Sequence, residues 1–199
     1  MRVPAEQIDD SEPAHSTGAA TPQNANPAKT TLPHVETGVL YQCAQWRDAG
    51  LDAALICRAA AAAVRTVCPD VDQEYELTVL LTSDSEARSL NCKWRGKDRP
   101  ANVLSFPLCS EAGQCGHLRL LGDVVLAFET VAGEARDSGL PLSDHVAHLV
   151  VHGVLHLLGY DHQSEGQAGI MEDLERRVLA GLGLSDPYAM APAPQSESV

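Results

Sequence analysis

The spacing of apolar and polar residues divides the middle of the chain into short alternating runs and longer helical stripes. Apolar and polar positions alternate over 76–82, which predicts a β-strand. Leucines and alanines recur at helical spacing over 51–67, which predicts an alanine-rich helix that ends before Pro69. The middle of the chain therefore combines both kinds of secondary structure.

The remaining predicted elements continue this alternation. Further strands are predicted at 39–46, 102–106 and 118–126, and further helices at 84–94, 128–138, 143–158 and 165–182. Asp84 and Ser143 are the predicted N-caps of two of these helices. Because the order lacks a regular β-α-β repeat, it favours a small mixed sheet with helices packed around it. We predict an α+β (mixed) class, with an α/β layer arrangement as the alternative.

Composition indicates one globular domain between two tails. Residues 1–35 and 185–199 are polar and proline-containing and lack a hydrophobic period, which predicts disordered tails around a domain over 36–184. No apolar run approaches the ~18 residues of a membrane span. The polar N-terminus has no apolar core of a secretory signal. We therefore expect a cytoplasmic protein that has no contact with a membrane.

The richest chemistry lies in the string His-Gly-Val-Leu-His-Leu-Leu-Gly-Tyr-Asp-His at 152–162. His152 and His156 are four residues apart, so on a helix they share one face. Gly159 can end that helix and let the chain return His162 to the same point. Three neutral imidazoles with a fourth position open form the ligand set of a catalytic zinc ion. The spacing therefore predicts a metal site with these three ligands.

This string differs from the metalloprotease pattern His-Glu-x-x-His at its second position, which is Gly153. Proteases use that glutamate as the general base, so a metallopeptidase is disfavoured here. The string instead resembles the signature of the YbeY-type endoribonucleases, the rRNA maturation factor family. Three further blocks match in order, at 90–107, 121–125 and 171–175. The resemblance covers roughly 39–182 and departs at Ala101, where threonine is expected.

The resemblance implies a fold, an activity and partners. We expect a central mixed sheet of about four strands with flanking helices, and a metal cleft at the histidine helix that holds one Zn²⁺ per chain. The implied activity is single-strand-specific, metal-dependent endoribonuclease action in maturation of the 16S rRNA 3′ end and in ribosome quality control. The implied partners are precursor rRNA and the small ribosomal subunit. A non-catalytic assembly factor stabilised by its metal is the alternative.

Several residues around the histidines receive expected roles. Arg95 matches the arginine of the family's Arg-Gly-Lys-Asp block, and with His152 it is the expected catalytic residue, since guanidinium suits phosphate. A surface pairing of Arg95 with Asp98 is the alternative. His148 is expected behind the ligands or facing substrate, with a buried structural histidine as the alternative. Asp161 either fixes a ligand imidazole or caps the turn.

A basic run crosses an otherwise acidic chain, whose net charge is −13. RNA binding usually relies on lysine and arginine, so any RNA contact must be local. Five basic residues lie within twelve positions, opposed by one aspartate: Arg88, Lys93, Arg95, Lys97 and Arg99. Of these, Lys93, Lys97 and Arg99 are the expected RNA contacts. The nearby Trp94 and Phe106 are interpreted as core residues rather than base-stacking platforms.

Overall fold

The computed structural model describes residues 32–69, 72–108 and 114–189. The strands are β1 (Val35–Tyr41), β2 (Glu74–Thr82), β3 (Val103–Pro107), β4 (Gln114–Cys115) and β5 (Leu118–Ala127). The helices are α1 (Ala44–Asp48), α2 (Ala53–Val67), α3 (Asp84–Arg95), α4 (Phe128–Asp137), α5 (Leu142–Leu157) and α6 (Glu165–Gly181).

The sheet is mixed, as predicted. Its strand order is β1-β2-β5-β3, and the two-residue β4 pairs with β5 outside this path. β1, β2 and β5 run parallel, whereas β3 and β4 are antiparallel to β5. The α+β class and the four main strands are therefore confirmed, and β4 is an addition that is too short to show a hydrophobic pattern.

Helix α5 lies at the centre of the domain, in contact with the sheet and with α2 and α6. Valines and leucines cover most of its surface, and side chains such as Val146, Val150 and Val154 are fully buried. Its polar side chains beyond the first turn are four histidines on one stripe: His145, His148, His152 and His156. Burial of the apolar surface therefore fixes the direction of the histidine stripe.

Three predicted boundaries are wrong. The first strand ends at Tyr41 and does not extend to Trp46, because Trp46 belongs to α1. From this helix the Trp46 ring is fully buried, and its Nε1 donates to the Thr82 carbonyl at 2.8 Å. Helix α3 is capped by Ser83, whose hydroxyl accepts from the Glu86 amide. Helix α5 follows Pro141, so the predicted cap Ser143 lies inside it.

Asp84 has a different task from the predicted one. Its carboxylate accepts hydrogen bonds from the Thr130 amide at 3.0 Å and from the Thr130 hydroxyl at 2.8 Å. It therefore ties α3 to the first turn of α4, a long-range contact that local capping rules do not predict.

The predicted tails fall mostly outside the described residues, which begin at 32 and end at 189. Residues 185–189, assigned to the C-terminal tail, are described and lie beside the histidine stripe. In the part of the chain that the structure describes, none of the helices has the length and apolar character to cross a membrane.

Candidate active site

The three histidines of the motif meet at one point. α5 ends at Leu157, and the Tyr160 amide bonds to the Leu155 carbonyl at 3.0 Å as the chain reverses. Gly159 takes φ 92 in this turn, a left-handed conformation that L side chains avoid. The His162 ring consequently lies 5.5 Å from that of His152 and 5.1 Å from that of His156.

Each of these histidines offers one ring nitrogen, and the three nitrogens lie within 4.8 Å of one another. His156 Nδ1 lies 2.9 Å from the Tyr160 carbonyl, which can only accept, so the proton sits on Nδ1. His152 Nδ1 lies 2.8 Å from Glu175 Oε1, a carboxylate that likewise accepts. Both imidazoles therefore present a bare Nε2 to the same point.

The Nε2 atoms of His152 and His156 are 3.1 Å apart, and when both rings are neutral with their protons on Nδ1 these atoms direct lone pairs at each other. Burial, and then the proximity of His152, lower the pKa of His156, which favours its neutral form. Ligand nitrogens at about 2.0–2.1 Å from a tetrahedral zinc are about 3.3 Å apart. The donor set thus fits a metal ion that would relieve the repulsion of the lone pairs.

Glu175 bonds to two histidines of the stripe, His148 and His152. Glu175 was not predicted from the sequence. The residue is 0% exposed, and its carboxylate accepts from His152 Nδ1, from His148 Nε2 at 2.9 Å and from the Tyr188 hydroxyl. Burial raises the pKa of Glu175, but these hydrogen bonds outweigh it and lower the pKa to about 2. An acid on the buried face of α6, four residues after Met171, was the signal for it.

The two residues predicted to support the metal ligands, His148 and Asp161, have different contacts. His148 bonds to Glu175 and therefore lies behind His152 rather than beside it. Asp161 caps the turn: its Oδ1 accepts from the His162 amide at 2.8 Å and its Oδ2 from the Gln163 side chain. The carboxylate that bonds to a candidate ligand imidazole, that of His152, is Glu175, which comes from a different helix.

Arg95 shares a cleft with two histidines of the cluster, His156 and His162. This cleft has a volume of about 620 Å³ and is lined by Arg95, Lys97, Ser105, His156, Tyr160 and His162, among others. The Arg95 guanidinium lies 3.5 Å from the Ser105 carbonyl, and no carboxylate of the described residues forms an ion pair with it. Asp98 instead forms a two-pronged pair with Arg88, at 2.6 and 2.8 Å. Arg95 is therefore available for an anion.

The other basic residues lie on α3 and in the loop that follows it, and they do not all face the cleft. Lys97 lines the cleft, and Lys97 and Arg99 both line an adjoining depression of about 330 Å³ that also includes Arg95. Lys93 points elsewhere, with its ammonium 5.1 Å from the centre of the Trp94 ring. Trp94 is 63% exposed, so its interpretation as a core residue is wrong.

Gly153 faces the sheet and not the metal cluster. A Cβ at this position would lie 2.6 Å from Val124 Cγ1, and the Gly153 carbonyl accepts from the Ser105 hydroxyl at 3.0 Å. Any side chain at 153 would therefore displace the helix from the sheet. The protease glutamate has no room here.

A mixed α+β domain with an open three-histidine cluster beside a cationic cleft defines a small protein with a candidate catalytic metal site. Residues 48–183 match the model of the family described as Endoribonuclease YbeY, and the chain belongs to that family. The Endoribonuclease YbeY of Nitrobacter winogradskyi is 46% identical over 165 residues, 81% of this chain and 85% of that protein. That of Paramagnetospirillum magneticum is 47% identical over 157 residues, 77% and 96% of the two chains.

A solved structure is also similar. The solution structure of a protein from Thermotoga maritima covers 77% of this chain and 99% of its own, at 22% identity and a TM-score of 0.42.

Proposed function

We propose that this endoribonuclease family member cleaves single-stranded RNA with one zinc ion held by His152, His156 and His162. The observation that carries the proposal is the pair of Nε2 atoms, 3.1 Å apart, in a cluster that shares a cleft with Arg95, which has no acidic ion-pair partner among the described residues. The paired nitrogens are suited to bind a metal cation, and the Arg95 guanidinium is available to bind a phosphate.

In this proposal different residues bind the metal, orient the histidine rings and bind the phosphate. When bound, zinc supplies a Lewis acid that polarises a phosphoryl oxygen or lowers the pKa of water toward ~7. Glu175 and the Tyr160 carbonyl hold the His152 and His156 rings with Nε2 directed at the point where the three histidines meet. Arg95 binds the scissile phosphate and offsets the negative charge that develops on it.

The charge distribution supports RNA as the substrate. The chain has a net charge of −13, so non-specific attraction to nucleic acid is weak. Lys97 and Arg99 extend the cationic surface from Arg95 along two adjoining depressions, enough for a short run of phosphates. We infer that the natural substrate is precursor rRNA at the 16S 3′ end, met on the small ribosomal subunit in the cytoplasm.

The test is cleavage of an end-labelled single-stranded RNA by identically prepared variants, with and without chelator. Wild type should cleave and lose activity with chelator, and His156→Ala should be inactive. Arg95→Ala should be slower by on the order of 100-fold. Arg88→Ala is the matched control, since Arg88 lies on the same helix but pairs with Asp98 outside the cleft.

Two results would contradict the proposal. Equal cleavage by wild type and His156→Ala would indicate a contaminating nuclease. No cleavage by any variant would favour an assembly factor whose metal serves only its fold. The product ends give the nucleophile: a 5′-phosphate with a 3′-hydroxyl follows from water, and a 2′,3′-cyclic phosphate follows from the ribose 2′-hydroxyl.

A further inference from the structure

The chain returns to the histidine stripe after α6. Tyr188 donates a hydrogen bond from its hydroxyl to Glu175 Oε2, and its ring lies edge-on to His148 with 5.7 Å between ring centres. We call residues 186–188 the C-terminal strap. The family model matches only as far as 183, so the strap lies beyond the part of the chain that carries the family pattern.

A second residue of α6, Arg176, also contacts the strap. Arg176 stacks on the Tyr188 ring, 4.7 Å from its centre, and its Nε lies 3.6 Å from Asp186 Oδ1. The same Asp186 oxygen accepts from the Tyr188 amide at 2.9 Å. Arg176 follows Glu175 directly in the sequence, so one turn of α6 presents both the carboxylate and the residue that positions the tyrosine over it.

We propose that Tyr188 is a positioning residue for the metal site, acting through Glu175 on His152. This inference rests on the metal site of the proposed function. The contact runs from the Tyr188 hydroxyl to Glu175 Oε2, and from Glu175 Oε1 to His152 Nδ1. His152 presents its Nε2 at the point where the three histidines meet.

Burial explains why the hydroxyl matters. Glu175 is completely inaccessible, so water cannot replace a lost donor without rearrangement. Its Oε2 accepts from both His148 and Tyr188, and its Oε1 accepts from His152. Three donors fix the plane of the carboxylate. Without the hydroxyl the carboxylate can rotate about the remaining bonds, which loosens the acceptor that orients His152.

The exposed position of the ring separates this role from simple packing. Tyr188 is 38% exposed, and its stacking on Arg176 uses the ring rather than the hydroxyl. Tyr188→Phe therefore keeps the packing and removes only the donor. Tyr41→Phe is the matched control, because the Tyr41 hydroxyl donates to the Leu51 carbonyl at 3.3 Å and neither residue lines the cleft.

The experiment measures zinc affinity of the metal-free proteins by competition with a chromophoric chelator, together with their melting temperatures. We expect Tyr188→Phe to bind zinc about 10-fold more weakly than wild type, at the lower end of the effect of groups behind a metal ligand. Tyr41→Phe should match wild type within two-fold. The visible spectrum of bound Co²⁺ should change in Tyr188→Phe and not in Tyr41→Phe.

Each outcome is decisive. Unchanged zinc affinity in Tyr188→Phe, with or without a lower melting temperature, overturns the positioning role, and a lower melting temperature alone shows a purely structural one. A wild type that binds no stoichiometric zinc overturns the metal site of the proposed function and this inference with it. The wild-type measurement therefore separates failure of the proposed site from failure of the tyrosine.

Discussion

Glu175→Gln is the most informative single change, because it keeps the shape of the side chain and removes its charge. A glutamine has one acceptor oxygen where the carboxylate has two, and its amide group would point a donor at another donor. Either His152 or the pair formed by His148 and Tyr188 must then lose its acceptor. We expect weaker zinc binding as a result.

The structure sets the size of this effect. Burial raises the pKa of Glu175, yet its hydrogen bonds bring the pKa from an ordinary 4.5 to about 2. That gap corresponds to ~3 kcal/mol in favour of the ionised form, which shows that the site is built around a carboxylate and not a neutral group. Groups that orient ligand histidines typically change metal affinity by about 10–100-fold, or ~1–3 kcal/mol. The expected loss of zinc affinity lies in this range.

The assay is zinc titration of the metal-free protein against a competing chelator. Glu76→Gln is the control, since Glu76 is an exposed residue of β2 and has no part in the contacts around the histidines. It should bind zinc like wild type. Zinc affinity of Glu175→Gln within two-fold of wild type would refute the assignment of Glu175 as the group that orients His152.

Three further predictions follow from burial and contacts. Gly153→Ala should lower the free energy of unfolding, measured in urea, by ~1–3 kcal/mol. Gly169→Ala, in an open part of α6, should raise it by ~0.5–1 kcal/mol. The opposite order would contradict the close packing of α5. Trp46→Ala should cost ~3–5 kcal/mol, and Trp94→Ala should stay within ~0.5 kcal/mol, by the same measurement; equal losses would contradict their assigned exposures. Zinc at about 100 times its Kd should raise the melting temperature of wild type by roughly 5–10 °C and that of His156→Ala much less; an equal rise would place the metal elsewhere.

Local patterns predicted most of the fold and the centre of the site. Periodicity identified α2, α5 and α6, and the glycine after α5 was correctly identified as the stop that returns His162. These features depend on residues close together in the sequence, where helix geometry alone decides which side chains meet. The errors at β1 and α1 arose because an apolar run continues through a turn, and Trp46 is buried from a helix rather than from a strand.

The rest of the site depends on contacts between distant segments. Glu175 reaches His152 across 23 positions of sequence, and Tyr188 reaches Glu175 from a segment whose composition resembles a tail. Asp161, the acid adjacent to the candidate ligand His162, was the local candidate for that role, but its carboxylate accepts from the His162 amide and from the Gln163 side chain instead. Neighbours in sequence are therefore poor predictors of which carboxylate supports a metal ligand, since the supporting group lies on whichever helix packs behind it.

The packing at Gly153 also explains why a protease-like histidine spacing does not give a protease. The two helical histidines need only the i, i+4 geometry, which any helix provides. A catalytic glutamate next to the first histidine needs room at that position, and here β5 approaches so closely that a Cβ would lie 2.6 Å from Val124. The same approach lets Ser105 bond the Gly153 carbonyl and brings β3 to the cleft, where the Ser105 carbonyl lies next to Arg95. Close packing against β5 thus leaves no room for the peptidase base, and β3 connects α5 to Arg95 through the hydroxyl and the carbonyl of Ser105.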